Sequence, residues 1–158
     1  MEEIRPLASA EEAKRCAQMM CSTEPWITLG RTFEESLALL EDPERENYVA
    51  ADGNQLLGFI ILNMRGAFVG YIQTVCVDGD TRGRGVGTRL VEFAERRIFR
   101  ETPNVFLCVS SFNPRARALY ERLGYETVGE LKNYLIEGES EFMMRKTIGP
   151  KQRARQRT

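Results

Sequence analysis

Apolar positions along this chain switch between helical and extended spacing, and each change of rhythm marks an element. The run Ile4-Arg5-Pro6-Leu7 reads as a short strand that its proline confines to a sheet edge. Ser9 then precedes Ala13, Cys16, Ala17 and Met20 at helical spacing, with Glu12 at the capping-box position, which predicts a helix from about Ala10 to Met20. Thr32 with Glu35 repeats the capping signature, and Phe33, Leu37 and Leu40 mark the inner face of a second short helix before Pro43. Between the two, Glu24 to Gly30 breaks the helical pattern and holds the one tryptophan, Trp26.

The middle of the chain is extended. Asn47–Ala51 and Leu56–Leu62 flank Asp52-Gly53-Asn54, a turn suited to an antiparallel hairpin. Arg65-Gly66 is a second turn, and Ala67 to Val77 reads as the longest strand. Leu90, Val91, Ala94, Arg97 and Ile98 set one face of a helix from Val86 to about Arg100. Val105–Val109 is continuously apolar, as in a strand buried on both faces. Asn113-Pro114 opens a helix through Ala116, Leu119, Tyr120 and Leu123, and Gly124 closes it. Tyr125–Leu131 and Glu141–Lys146 finish the chain as strands. The order β-α-α-β-β-β-α-β-α-β-β predicts an α/β (α+β) fold: a mixed, mostly antiparallel central sheet of about 6–7 strands, with helices on both faces.

Composition bounds the class. The 158 residues suit one domain over 1–148, followed by a basic tail, 149–158, that lacks apolar residues and is expected to be a disordered, solvated end. With 42% hydrophobic and 28% charged residues and a net charge of −1, the chain has the profile of a soluble globular protein and no bulk charge for nucleic acid. There is no histidine, which excludes common zinc sites and Ser-His or Cys-His catalysis; no metal is expected. The four cysteines form no C-x-x-C pair, and Cys76 and Cys108, in apolar runs, read as reduced core residues. Glu2 and Glu3 are wrong for a signal peptide and no apolar run approaches a membrane span, so a cytoplasmic protein with no membrane partner is expected.

The stretch Val75-Cys76-Val77-Asp78-Gly79-Asp80-Thr81-Arg82-Gly83-Arg84-Gly85-Val86-Gly87-Thr88 carries the chemistry. It runs from a strand through a glycine-rich loop into a helix start, which puts free backbone N–H groups and a positive dipole end at one spot. A Walker A loop needs a lysine that is missing here, and a dinucleotide fingerprint needs a small residue where Thr88 stands. The third pattern, [QR]-x-x-G-x-[GA], fits Arg82 to Gly87; alone it also reads as a basic surface turn before a helix. About 25 residues on, Asn113-Pro114-Arg115-Ala116-Arg117-Ala118-Leu119-Tyr120-Glu121-Arg122-Leu123-Gly124-Tyr125 matches N-x-x-A-x-x-[LF]-Y-x-x-x-G-[FY].

With both blocks in order, the chain resembles the Gcn5-related N-acetyltransferase (GNAT) family over roughly Ile4 to Lys146, most of all its bacterial ribosomal-protein-alanine N-acetyltransferase branch. The resemblance implies the acyl-CoA N-acyltransferase fold, with acetyl-CoA as co-substrate. It assigns CoA binding to the backbone of Val75, Cys76 and Val77, to Arg82, Gly83, Arg84, Gly85, Val86, Gly87 and Thr88, and to Asn113, Ala116 and Tyr120. A backbone amide of 75–77 would polarise the thioester, and Tyr120 would protonate the departing sulfur. Trp26 and Tyr134 would flank an amine-bearing peptide or small-molecule acceptor, though Trp26 equally reads as a plug at the sheet end. Dimers are common in the family, so a homodimer stays open.

The resemblance breaks at the general base. Where family members carry a glutamate on the strand before the loop, this chain has Tyr71; in the E-V-x-x-x-N run, Cys108 replaces the carboxylate. Glu137, Glu139 and Glu141 are candidates through a water chain, or simply solvated charges. An α-amine of pKa about 7.8 is roughly 15% neutral at pH 7 and a lysine amine of about 10.4 only about 0.04%, so a weak base favours the former. The missing glutamates leave a non-catalytic acyl-CoA-binding or interaction module as the alternative.

Overall fold

The computed structural model describes residues 1–152; residues 153–158, most of the basic tail, lie outside the described residues. The elements run β1 (Glu2–Pro6), α1 (Ala10–Cys21), α2 (Phe33–Glu41), β2 (Arg45–Asp52), β3 (Gln55–Asn63), β4 (Tyr71–Val77), α3 (Val86–Ile98), β5 (Asn104–Ser110), α4 (Pro114–Arg122), β6 (Glu126–Lys132) and β7 (Ser140–Thr147). They follow the predicted order. The seven strands form one sheet, β1-β2-β3-β4-β5-β7-β6, antiparallel except where β4 meets β5. Among the described residues no helix is long and apolar enough to cross a membrane.

The caps work as the local sequence requires. Ser9 accepts from the Glu12 amide and Thr32 from the Glu35 amide, both at 3.1 Å. Glu12 reaches back to the Ala8 amide and takes both guanidinium nitrogens of Arg5, which ties α1 to the edge strand β1. Helices pack on both faces. Leu62, Ile72, Leu90, Ala94, Ile98, Leu107 and Met144 form the core under α3 and α4; Ala13, Cys16, Met20, Phe59, Ile61 and Cys76 form the core under α1 and α2. Each fully buried Leu, Ile or Phe contributes roughly 1.5–3 kcal/mol.

Three details differ from the sequence reading. Residues 67–70 are bends, not strand, so β4 is shorter than predicted. The cause is Gly70: its φ of +88° turns the chain, and its backbone lies so close to Asn104 and Ile98 that a Cβ would stand 2.6 Å from the Asn104 carbonyl oxygen. Second, β4 carries a bulge at Gln73, since Thr74 pairs with Ile61 and Ile72 with Leu62. The bulge shifts the side-chain phase, so Ile72 joins the core under α3 while Cys76 joins the core under α1. Third, β5 is not buried on both faces. The core under α1 and α2 draws on β2, β3 and β4 alone, so Phe106 and Cys108 are half-buried on a face left open. Cys76 is a core residue as expected; Cys108 is not.

Parallel β4 and β5 pair only at Tyr71–Phe106 and Ile72–Leu107, with the Phe106 amide donating to the Gly70 carbonyl at 2.9 Å. Beyond that the strands part, and the sheet opens.

Gly70→Ala combines a left-handed φ with a backbone clash and is expected to cost about 3 kcal/mol in urea denaturation. Gly66→Ala, at φ +85° with open space around it, should cost only about 1 kcal/mol.

Candidate active site

The opening between β4 and β5 continues into a cleft of about 890 Å3 that runs through the sheet. Its first wall is the glycine loop. A single 3-10 turn, Gly79–Thr81, leaves β4, and the Thr81 hydroxyl bonds to the Leu57 and Asp78 carbonyls at 3.1 and 3.0 Å. Gly83 and Gly85 then take φ of +82° and +79°, curling the chain into α3. The first intrahelical bond is Arg89 N–H to Gly85 carbonyl, so the amides of Val86, Gly87 and Thr88 have no helical acceptor. They stand at the positive end of the helix, beside Arg82.

The second wall is α4. The Asn113 Oδ1 caps it by accepting from the Ala116 amide at 3.3 Å, and Pro114 fits the first helical turn. Tyr120 lies on the inner side, 9% exposed, with its ring edge-on to Tyr125 at 6.0 Å. Burial pushes its phenol up to about 12, so it stays protonated.

On the opposite face of the sheet the cleft has a different floor. Tyr71, Cys108, Ser110 and Glu141 share that face, because Tyr71 pairs with Phe106 and Ser110 with Glu141. The Tyr71 hydroxyl faces the Cys108 thiol, and burial raises the pKa of both. Trp26 enters from the segment after α1, mostly embedded in the helical core; Tyr134, 62% exposed, projects from the loop between β6 and β7. Trp26 is thus both plug and wall.

The cleft gathers Trp26, Tyr71, Val75, Val77, Arg82, Gly83, Gly85, Val86, Gly87, Thr88, Asn113, Ala116, Tyr120 and Tyr134. Two predicted residues stay out of its lining. Cys76 turns its side chain into the α1 core, and Arg84 is exposed, its carbonyl accepting from Arg89 at 3.0 Å. Sequence reading missed Phe68, Arg45, Gln73 and Leu135, which also line it. Phe68 packs edge-on against Phe106 at 5.2 Å, and Arg45 donates to Gln73 at 2.7 Å. Of the three candidate carboxylates, only Glu141 lines the cleft; Glu139 accepts instead from the Ser111 hydroxyl. Among the described residues no three His, Cys, Asp or Glu side chains are grouped to hold a metal ion.

The chain is similar in sequence and in fold to known proteins. The family profile described as "Acetyltransferase (GNAT) family" matches residues 10–125. The chain is 30% identical over 146 residues to the N-alpha-acetyltransferase RimI of Mycobacterium tuberculosis, covering 87% of this chain and 88% of that one. It is 32% identical over 139 residues to the S-(2-succino)cysteine N-acetyltransferase of Bacillus subtilis, covering 78% and 84%. Among solved structures, an aminoglycoside 6'-N-acetyltransferase complexed with coenzyme A superimposes with a TM-score of 0.76 at 22% identity, over 96% of this chain and 99% of that one.

The Asn113 cap can be measured apart from any ligand. Asn113→Ala is expected to lower stability by about 1 kcal/mol in denaturant titration, and Asn113→Ser to restore most of it.

Proposed function

The chain belongs to the acetyltransferase (GNAT) family, and from that premise we propose that its acceptor is the α-amine of a peptide or amino-acid-like molecule. It is an acetyl-CoA-dependent N-acetyltransferase, an enzyme that moves an acetyl group to a primary amine. One observation supports the finer reading. Six arginines line the cleft (Arg31, Arg45, Arg65, Arg82, Arg115 and Arg122) against two carboxylates, Glu24 and Glu141. The partners of Arg31, Arg45 and Arg65 are Glu35, Asp42 and Glu44, which stand outside that lining. With those three paired, Arg82, Arg115 and Arg122 still outnumber Glu24 and Glu141, so a polyamine or aminoglycoside finds no surplus of counter-charge in the cleft. A singly charged α-amine with a carboxylate or peptide carbonyls nearby needs none.

On this reading residues 1–148 act as one domain with a donor half and an acceptor half. The free amides from Gly83 to Thr88 and the Arg82 guanidinium hold the pyrophosphate of CoA, with Asn113 and Ala116 beside them. The backbone of Val75, Cys76 and Val77, paired with β3 on one edge and left open on the other where β5 departs, donates toward the thioester oxygen. Tyr120 hands its proton to the leaving sulfur. A phenol at about 12 is a far weaker acid than a free thiol near 8.5, so the proton crosses only as negative charge builds on sulfur. Trp26, Tyr71 and Tyr134 flank the acceptor.

Release of free thiol from acetyl-CoA, measured across peptides with free N-termini, lysine peptides, polyamines and aminoglycosides, tests the acceptor class. Peptide α-amines should exceed lysine peptides and polyamines in kcat/KM by roughly 300-fold, following the neutral fractions of an α-amine and a lysine-like amine; the reverse order overturns the reading. Tyr120→Phe should bind acetyl-CoA as the wild type does and lose about 100-fold in kcat.

A further inference from the structure

Three glutamates are buried among the described residues: Glu12, Glu95 and Glu141, at 8%, 7% and 6% exposure. Two are held by cations. Glu12 pairs with Arg5 at 2.8 Å, and Glu95 with Lys146 at 2.9 Å, while the Tyr125 hydroxyl donates to Glu95 at 2.8 Å. Glu141 has no ion pair among the described residues. A buried carboxylate without a counter-charge destabilises the fold, and such groups concentrate where chemistry uses them.

Its position gives it a use. β7 pairs with β5 so that Glu141 lies opposite Ser110, on the face shared with Cys108 and Tyr71. Those are the two positions at which the chain lacks the family's glutamate. The carboxylate missing from β4 and β5 is therefore present one strand further on, over the same part of the cleft floor.

We propose that Glu141 is the general base that takes the proton from the acceptor ammonium, directly or through one water. This rests on the acetyl-transfer reading above. The ammonium gives up two protons. Glu141 takes the first and returns it to solvent after turnover, and the freed nitrogen lone pair forms the C–N bond to the acetyl carbon. The second leaves nitrogen as the C–S bond breaks and replaces the proton that Tyr120 gives to sulfur. The products are an amide, a free thiol and one proton.

The groups around Glu141 suit that role. Tyr71 faces it from β4 and Cys108 from β5, and both remain neutral because burial raises them. Leu131 lies opposite on β6, and Tyr134 comes from the loop before β7. Glu24 and Arg31 line the cleft from the segment between α1 and α2. Burial raises the Glu141 carboxyl, with Ser110 hydrogen bonding in opposition, and a raised carboxyl is a stronger base.

Glu141→Gln keeps the shape and removes the base. With an acceptor that the wild type uses, kcat should fall about 100-fold or more while acetyl-CoA affinity is unchanged. The wild-type rate should drop on the acid side as Glu141 protonates, and the variant should lose that limb. A second readout needs no substrate. A carboxyl whose folded pKa is raised favours folding below its unfolded pKa, and that contribution is lost as pH rises through the folded pKa. The ligand-free variant should therefore melt higher than the wild type at pH 8, with the difference shrinking as pH falls. Glu139→Gln, outside the cleft, should leave the rate unchanged. Turnover of Glu141→Gln within about 3-fold of wild type, or a lower melting temperature at pH 8, overturns the proposal. A wild type that acetylates no amine overturns the acceptor reading and this one with it; an active wild type with an equally active Glu141→Gln overturns only the base.

Discussion

Two residue pairs join β4 to β5, and the cleft exists because the pairing stops there. A sheet that closed along the full length of both strands would bury Val75 and Val77 against β5 and leave no way through. Parting leaves a row of backbone N–H and C=O groups along facing edges, and such groups must find partners in water or in a ligand. The sheet tolerates the opening because each half is braced separately. β1 to β4 form an antiparallel block with helices on both faces, and β5, β7 and β6 form a second antiparallel block with one face left open. The walls of the cleft come from the connections that leave the parting strands: the glycine loop after β4 and the capped helix after β5.

Electrostatics divides the cleft as the fold does. At the glycine-loop wall, helix-end amides and Arg82 concentrate positive potential. At the other end, aromatic side chains narrow the approach and one carboxylate lies beneath them. Glu12 and Glu95 show how this fold buries an acid for stability, with a cation within ion-pair reach of each. Glu141 lacks that arrangement, and the contrast within one protein is a stronger argument than its burial alone.

Local signals were legible in the sequence and non-local ones were not. Ser9, Thr32 and Asn113 cap their helices because capping depends on three or four consecutive residues. The hairpin at Asp52-Gly53-Asn54 is local for the same reason. The glycine loop and the Asn113-to-Tyr120 block were readable as spaced motifs. By contrast, residues that favour extended structure run from Ala67 to Val77, and only the close approach of Asn104 and Ile98 to Gly70 ends the strand. Choosing Glu141 over Glu137 and Glu139 requires the register of β7 on β5, which strand pairing decides. Cys108 reads as core because its run is apolar; its exposure follows from how far α1 and α2 extend across the sheet.

The bulge at Gln73 has the effect of a frameshift within a strand. In an unbulged β4, Tyr71 would point to the same side as Val75 and Val77. With one residue absorbed, Tyr71 opens to one face and Val75 and Val77 to the other, where Tyr120 also packs. One short strand thereby fronts two chambers. The cleft that passes through the sheet therefore meets a different set of side chains on each face of the same strand.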